Sequence, residues 1–170
     1  MKKYITFLRG INVGNIRIKM PDLKIAFLEM GFKNVATFLQ TGNVVFESDK
    51  NISEIKVILE KGLSETFHYQ AFVLLYDFDI LEGIIEKYPF QKSEVHHAYI
   101  VFVESVVIFE ELLSFSQGLD EEIAKGNTVL YWKVPKGESL NTPFSKITAK
   151  AKYKSTTTVR NINTLEKMLE

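Results

Sequence analysis

Arg9-Gly10-Ile11-Asn12-Val13-Gly14 is the stretch whose residue types best suit an anion. Glycines let backbone N–H groups come close to a ligand, and an arginine fork grips phosphate or carboxylate through two parallel bonds. The same glycines also serve a plain turn. The spacing is neither GxGxxG nor GxxxxGK[ST], so neither a dinucleotide loop nor a P-loop is indicated. A second group, Gln40 and Asn43, flanks Gly42. Both amides donate and accept, which suits a base edge or a ribose, and equally suits turn chemistry. A third group, Ser145, Lys146, Arg160 and Asn161, lies in a basic C-terminal segment, where the other reading is a solvated face with a helix cap at Asn161.

Catalytic signatures are sparse. The chain has no cysteine, which excludes disulfides, thiolate metal sites and cysteine nucleophiles. His96 and His97 are adjacent on an expected strand, point to opposite faces and so cannot easily share one metal ion; His68 is isolated. Neither HExxH nor GxSxG occurs. No metal and no cofactor is therefore expected.

The elements that must position these groups read off in order. Lys3 to Leu8 alternates as a strand. Pro21 suits the first position of a helix, and Leu23, Ala26, Phe27 and Met30 then fall on one stripe. Gly31 is a natural stop, with Phe32 folding back. A hairpin over about 34–48 turns at Gly42. Asn51 with Glu54 resembles a capping box for a helix burying Ile55, Ile58, Leu59 and Leu63. Gln70 to Tyr76 is a strand. A short acidic helix spans Ile80 to Lys87.

The second half repeats the order. Ala98 to Val103 is a strand, and Ile108 to Leu113 a helix despite Val106 and Val107. A hairpin turns at Gly126-Asn127, Thr142-Pro143 starts a helix, Thr156 to Val159 is a strand, and Asn163 with Glu166 opens a final helix from Thr164. The expected fold is α+β: two tandem ferredoxin-like (βαββαβ) units with largely antiparallel sheets packed together. Residues 1–90 form the first subdomain and 91–170 the second, with a C-terminal helix. A sheet covered by helices on one face should alternate to polar on the other. Here Tyr4, Thr6 and Leu8 alternate with Ile5 and Phe7, and neither set is polar, so both faces should be covered. Packing of the two units, a homodimer or a ligand would each serve.

Charge bounds the partners. Lysine and arginine total 21, balanced by 21 acids, yet the distribution is uneven. Residues 1–19 hold five bases and no acid, residues 133–160 hold seven bases and one acid, and residues 77–122 hold eleven acids against Lys87 and Lys92. Net zero thus leaves anionic partners open. No apolar run approaches the roughly 18 residues of a membrane span, so no membrane partner is expected. Phe7 and Phe46 would sit on central strands, as in an RNA-recognition sheet, but Gly42-Asn43-Val44-Val45-Phe46-Glu47-Ser48 lacks that motif's basic-Gly-aromatic pattern. Both are read as core.

Phe7-Leu8-Arg9-Gly10-Ile11-Asn12-Val13-Gly14, Gly31-Phe32, Thr37 with Gly42-Asn43-Val44-Val45-Phe46, and Arg160-Asn161 with Asn163-Thr164 resemble an uncharacterised bacterial domain-of-unknown-function family. The resemblance spans nearly the whole chain. It implies a small cytoplasmic α+β protein with ferredoxin-like parts and no known reaction.

Three functions are therefore open. The first is binding of a phosphate-bearing or other anionic ligand, a nucleotide or nucleic acid included, by Arg9, Asn12, Gln40, Asn43, Lys146, Arg160 and Asn161. It requires the end of the first strand, the hairpin tip and the C-terminal segment to converge. The second is an enzyme on a small anionic substrate, with Arg9 or Lys146 stabilising charge. The third is a structural or oligomeric module.

Overall fold

Side-chain alternation over Lys2–Arg9 builds β1, the strand from which the first unit is organised. The computed structural model describes residues 1–12, 15–39 and 41–170. Val13, Gly14 and Gln40, named above in the anion loop and the hairpin tip, lie outside the described residues. The chain divides into two units, Met1–Leu81 and Glu82–Glu170.

In the first unit α1 (Met20–Glu29) starts with Pro21 in its first turn and buries Leu23, Ala26 and Phe27. It ends as expected at Gly31. Phe32 N donates to Phe27 O and Gly31 N to Leu28 O, the paired bonds that close a helix through a left-handed glycine. β2 (Lys33–Phe38) and β3 (Asn43–Ser48) form the hairpin. α2 (Ile52–Phe67) opens on the capping box: Glu54 N donates to Asn51 Oδ1 at 2.9 Å, and Asn51 N to Glu54 Oε2 at 3.1 Å. β4 (Phe72–Asp77) completes the sheet, and α3 (Ile80–Glu86) carries the chain across the division. The strand order is β2-β3-β1-β4, all antiparallel.

The second unit contributes β5 (His96–Val103), α4 (Val106–Gln117), β6 (Glu122–Lys125), β7 (Val129–Pro135), α5 (Pro143–Thr148), a 3-10 turn at Ala151–Tyr153, β8 (Thr157–Asn161) and α6 (Ile162–Leu169). Its order is β6-β7-β5-β8, again antiparallel. Two details correct the sequence reading. α4 begins two residues earlier than expected and runs longer, because Ser105 Oγ accepts from Ile108 N and leaves Val106 and Val107 exposed on the first turn, where β-branching meets no preceding turn. α6 begins at Ile162, not Thr164: the capping residue is Asn161, whose Oδ1 accepts from Asn163 N at 2.9 Å.

Each unit has its own core. Tyr4, Leu8, Phe27, Val44, Phe46, Leu59 and Val73 are among the side chains joining sheet to α1 and α2 in the first. Val101, Leu112, Leu130, Trp132 and Phe144 do so in the second. The opposite sheet faces are buried too: Ile5, Phe7, Val45 and Leu74 in one unit, Ile100, Phe102, Val129 and Tyr131 in the other. Both phenylalanines once compared with an RNA-stacking platform are wholly buried, as the core reading expects. Among the described residues, no helix is long and apolar enough to cross a membrane.

Candidate functional site

β1 ends against the hairpin tip. Phe7 pairs with Asn43 across the sheet, and Leu8 N donates to Gly42 O at 2.8 Å, so the Arg9–Asn12 segment does sit beside the turn. The polar groups there serve the fold, however. Asn43 is fully buried, and its Nδ2 donates to Phe38 O at 3.0 Å and Thr41 Oγ1 at 2.7 Å. Asn12 Oδ1 accepts from Ile18 N at 2.9 Å. Arg9 stands opposite Phe72, and burial lowers its guanidinium pKa. Ser53-Glu54-Ile55-Lys56 has the spacing of a serine–lysine pair, but Lys56 Nζ donates to Val73 O at 2.7 Å and is 3.8 Å from Glu60, which holds it in a structural role.

In the second unit Lys146 is exposed on the last turn of α5. Arg160 is buried, with Nη1 donating to Val159 O at 3.2 Å. As neighbours on β8, Arg160 and Asn161 project to opposite faces. Of the described residues proposed from sequence as ligand contacts, only Asn161 lines a concavity of about 630 Å³ within this unit. Its walls are the segment Tyr88–Glu94, the first residues of β5, Lys133 and Lys136 at the end of β7, and the start of α6. Lys136 N donates to Val95 O at 2.9 Å and draws these ends together.

Hydrogen bonding makes this pocket rich in donors. Asn161 Oδ1 is committed to Asn163 N, so its amide nitrogen is the group 3.5 Å from His97 Nδ1. An amide N–H only donates, which makes Nδ1 the acceptor and puts the ring proton on Nε2. Ser93 Oγ accepts from Val95 N, and its own proton is left for His96 Nδ1, 3.2 Å away. His96 N also donates to Ser93 O, so the serine shapes the turn into β5. Both imidazoles line the pocket despite alternating along the strand, because the concavity wraps around the strand end. Lys92 is paired with Glu166 at 2.5 Å. Among the described residues, Lys133 and Lys136 have no ion-pair partner. Glu94 is the one carboxylate in the lining. Lys133, Lys136 and two imidazoles thus line the concavity with Glu94, while Lys92 is taken up by Glu166 and Asn163 N by the Asn161 cap.

No group of three or more metal-ligating side chains occurs among the described residues. Sequence reasoning passed over His96, His97, Lys133 and Lys136 as ligand contacts. The one signal available was the excess of bases over residues 133–160, which the fold disperses: Lys152 pairs with Glu111 at 2.5 Å, and Lys146 lies on α5.

Tyr88 in the pocket wall and Tyr69 in the first unit yield a pH prediction. Burial, joined at Tyr88 by the charge of Glu122, pushes each phenol up to about 12. The folded pKa lies above the unfolded value of about 10, so this stabilisation is complete below about pH 10 and is lost as pH rises towards 12. Burial also raises the phenols of Tyr131 and Tyr153, so absorbance at 295 nm should show four tyrosines ionising later in the native protein than in urea, and Tyr88→Phe should remove one of them.

Fold and pocket together define an α+β protein of two four-stranded antiparallel sheets with a donor-lined pocket beside the second. The chain belongs to the family described as protein of unknown function DUF1697, whose profile matches residues 1–131. That match includes His96 and His97 and stops short of Lys133, Lys136 and Asn161. No curated protein matches. Among solved structures the chain is similar to conserved bacterial protein SP0830 from Streptococcus pneumoniae, with a TM-score of 0.81 at 22% identity, over 99% of this chain and 96% of that one. The likeness shows the fold.

Proposed function

We propose that the protein binds a small anionic ligand in the second-unit pocket, within a pair of ferredoxin-like units. Strand orders with the first and third strands of each unit at the centre support the ferredoxin-like description. The observation that carries the binding function is the convergence of Lys133, Lys136, His96 and His97 on one concavity with a single opposing carboxylate. Two lysines without counter-ions among the described residues are stabilised by an incoming anion. Donors fixed in place by Asn161 and Ser93 lose little freedom on binding.

The test is isothermal titration of the full chain with mixed small phosphates. Lys133→Ala with Lys136→Ala should weaken binding by roughly ten- to a hundredfold, since each charge-assisted bond contributes about 1.5–3 kcal/mol when made. Lys61→Ala, on α2 in the first unit, should leave it unchanged. Undiminished binding in the double variant, or loss of binding on Arg9→Ala alone, would move the site to the β1 loop and overturn the assignment.

A further inference from the structure

We infer that the ligand is a small phosphomonoester with an organic body, and not a phosphodiester, a nucleic acid or free phosphate. The inference rests on the anion reading above. Lys133 and Lys136 supply two positive charges, and the imidazoles of His96 and His97 supply ring N–H donors. A phosphomonoester matches this set: it carries about −1.5 to −2 charges at pH 7 and three terminal acceptor oxygens. A diester or carboxylate offers only two terminal oxygens, too few to accept from both lysines and both imidazoles at once.

Size and wall chemistry exclude the extremes. A volume of about 630 Å³ is that of a pocket for an organic molecule, typically about 300–1,000 Å³, so inorganic phosphate would leave most of it empty. Tyr88 and Ala98 offer apolar surface for the remainder of the ligand, and Gln91 and Asn163 offer amides for its hydroxyl or ring heteroatoms. Nucleic acid presents a chain of diesters and calls for a basic stripe that tracks a backbone, whereas this site is a local concavity bounded by one loop, strand ends and one helix. Nucleoside 5′-monophosphates and sugar phosphates share the required chemistry.

Calorimetry on the full chain separates the outcomes. The probes are adenosine 5′-monophosphate, its 3′,5′-cyclic diester, adenosine, glucose 6-phosphate, inorganic phosphate and a mixed 12-nucleotide single strand without terminal phosphate. At least one monoester should bind about tenfold or more tighter than the cyclic diester, the oligonucleotide and inorganic phosphate, and the Lys133→Ala, Lys136→Ala variant should abolish the difference. Preference for the nucleotide or for the sugar phosphate names the source. Equal affinity for the cyclic diester, the oligonucleotide or inorganic phosphate overturns this inference and leaves the anion reading standing. Absence of binding by every anion removes both.

Discussion

Phe46→Ala should destabilise the first unit by about 4 kcal/mol, within the range of roughly 3–5 kcal/mol found when a buried phenylalanine is truncated. Phe46 is wholly buried on β3 and is the hub of an aromatic cluster. Its ring centroid lies 4.8 Å from that of Phe32, 5.5 Å from Phe27 and 5.9 Å from Tyr4. These partners come from α1, from the segment after it, and from β1, so the ring joins the sheet to its covering helix. Alanine would leave a cavity that strand-anchored neighbours cannot close. Urea denaturation followed by far-UV circular dichroism measures the loss, and a cost below about 1 kcal/mol would contradict the packing described.

Gly42→Ala should cost about 3 kcal/mol, from two separable causes. Gly42 has φ +81°, a left-handed conformation that costs an L-residue about 1 kcal/mol or more. A methyl group there would also meet Leu8 Cβ at 2.7 Å and Ile11 Cδ1 at 2.9 Å. The isoleucine tip can rotate away. Leu8 Cβ cannot, because β1 is held to this turn by the Leu8 N to Gly42 O bond. Overpacking of this kind adds about 1–3 kcal/mol. Gly31→Ala is the control: its φ is +92°, but open space surrounds the added methyl, so only the backbone cost of about 1 kcal/mol applies. Equal losses in the two variants would mean that the approach of Leu8 to the turn is not as close as the geometry requires.

The two glycines show how far local reading reaches. Gly31 was legible as a helix stop because its partners, Phe27 and Leu28, lie within five residues. The Asn51–Glu54 box and the Thr142-Pro143 start were legible for the same reason. Gly42 read only as a turn residue; its closest neighbours are Leu8 and Ile11, more than thirty positions away. The amides of Asn12 and Asn43 looked like ligand groups because their types suit ligands. The fold instead sets Asn12 Oδ1 against Ile18 N, and Asn43 Nδ2 against Phe38 O and Thr41 Oγ1.

What this chain determined by itself is its run of strands and helices, the doubled βαββαβ order and the apolar character of both sheet faces. Periodicity, caps and turns depend on side chains one to five residues apart, and those spacings are written directly in the chain. Tertiary structure alone decided which cations meet. Residues 88–97, 133–136 and 161–163 become neighbours only when β5 pairs with β7 on one side and β8 on the other. That pairing places a strand's first residues beside the last residues of its antiparallel partners, so groups some seventy positions apart share one pocket end, while Arg160 and Asn161, adjacent in sequence, face opposite ways.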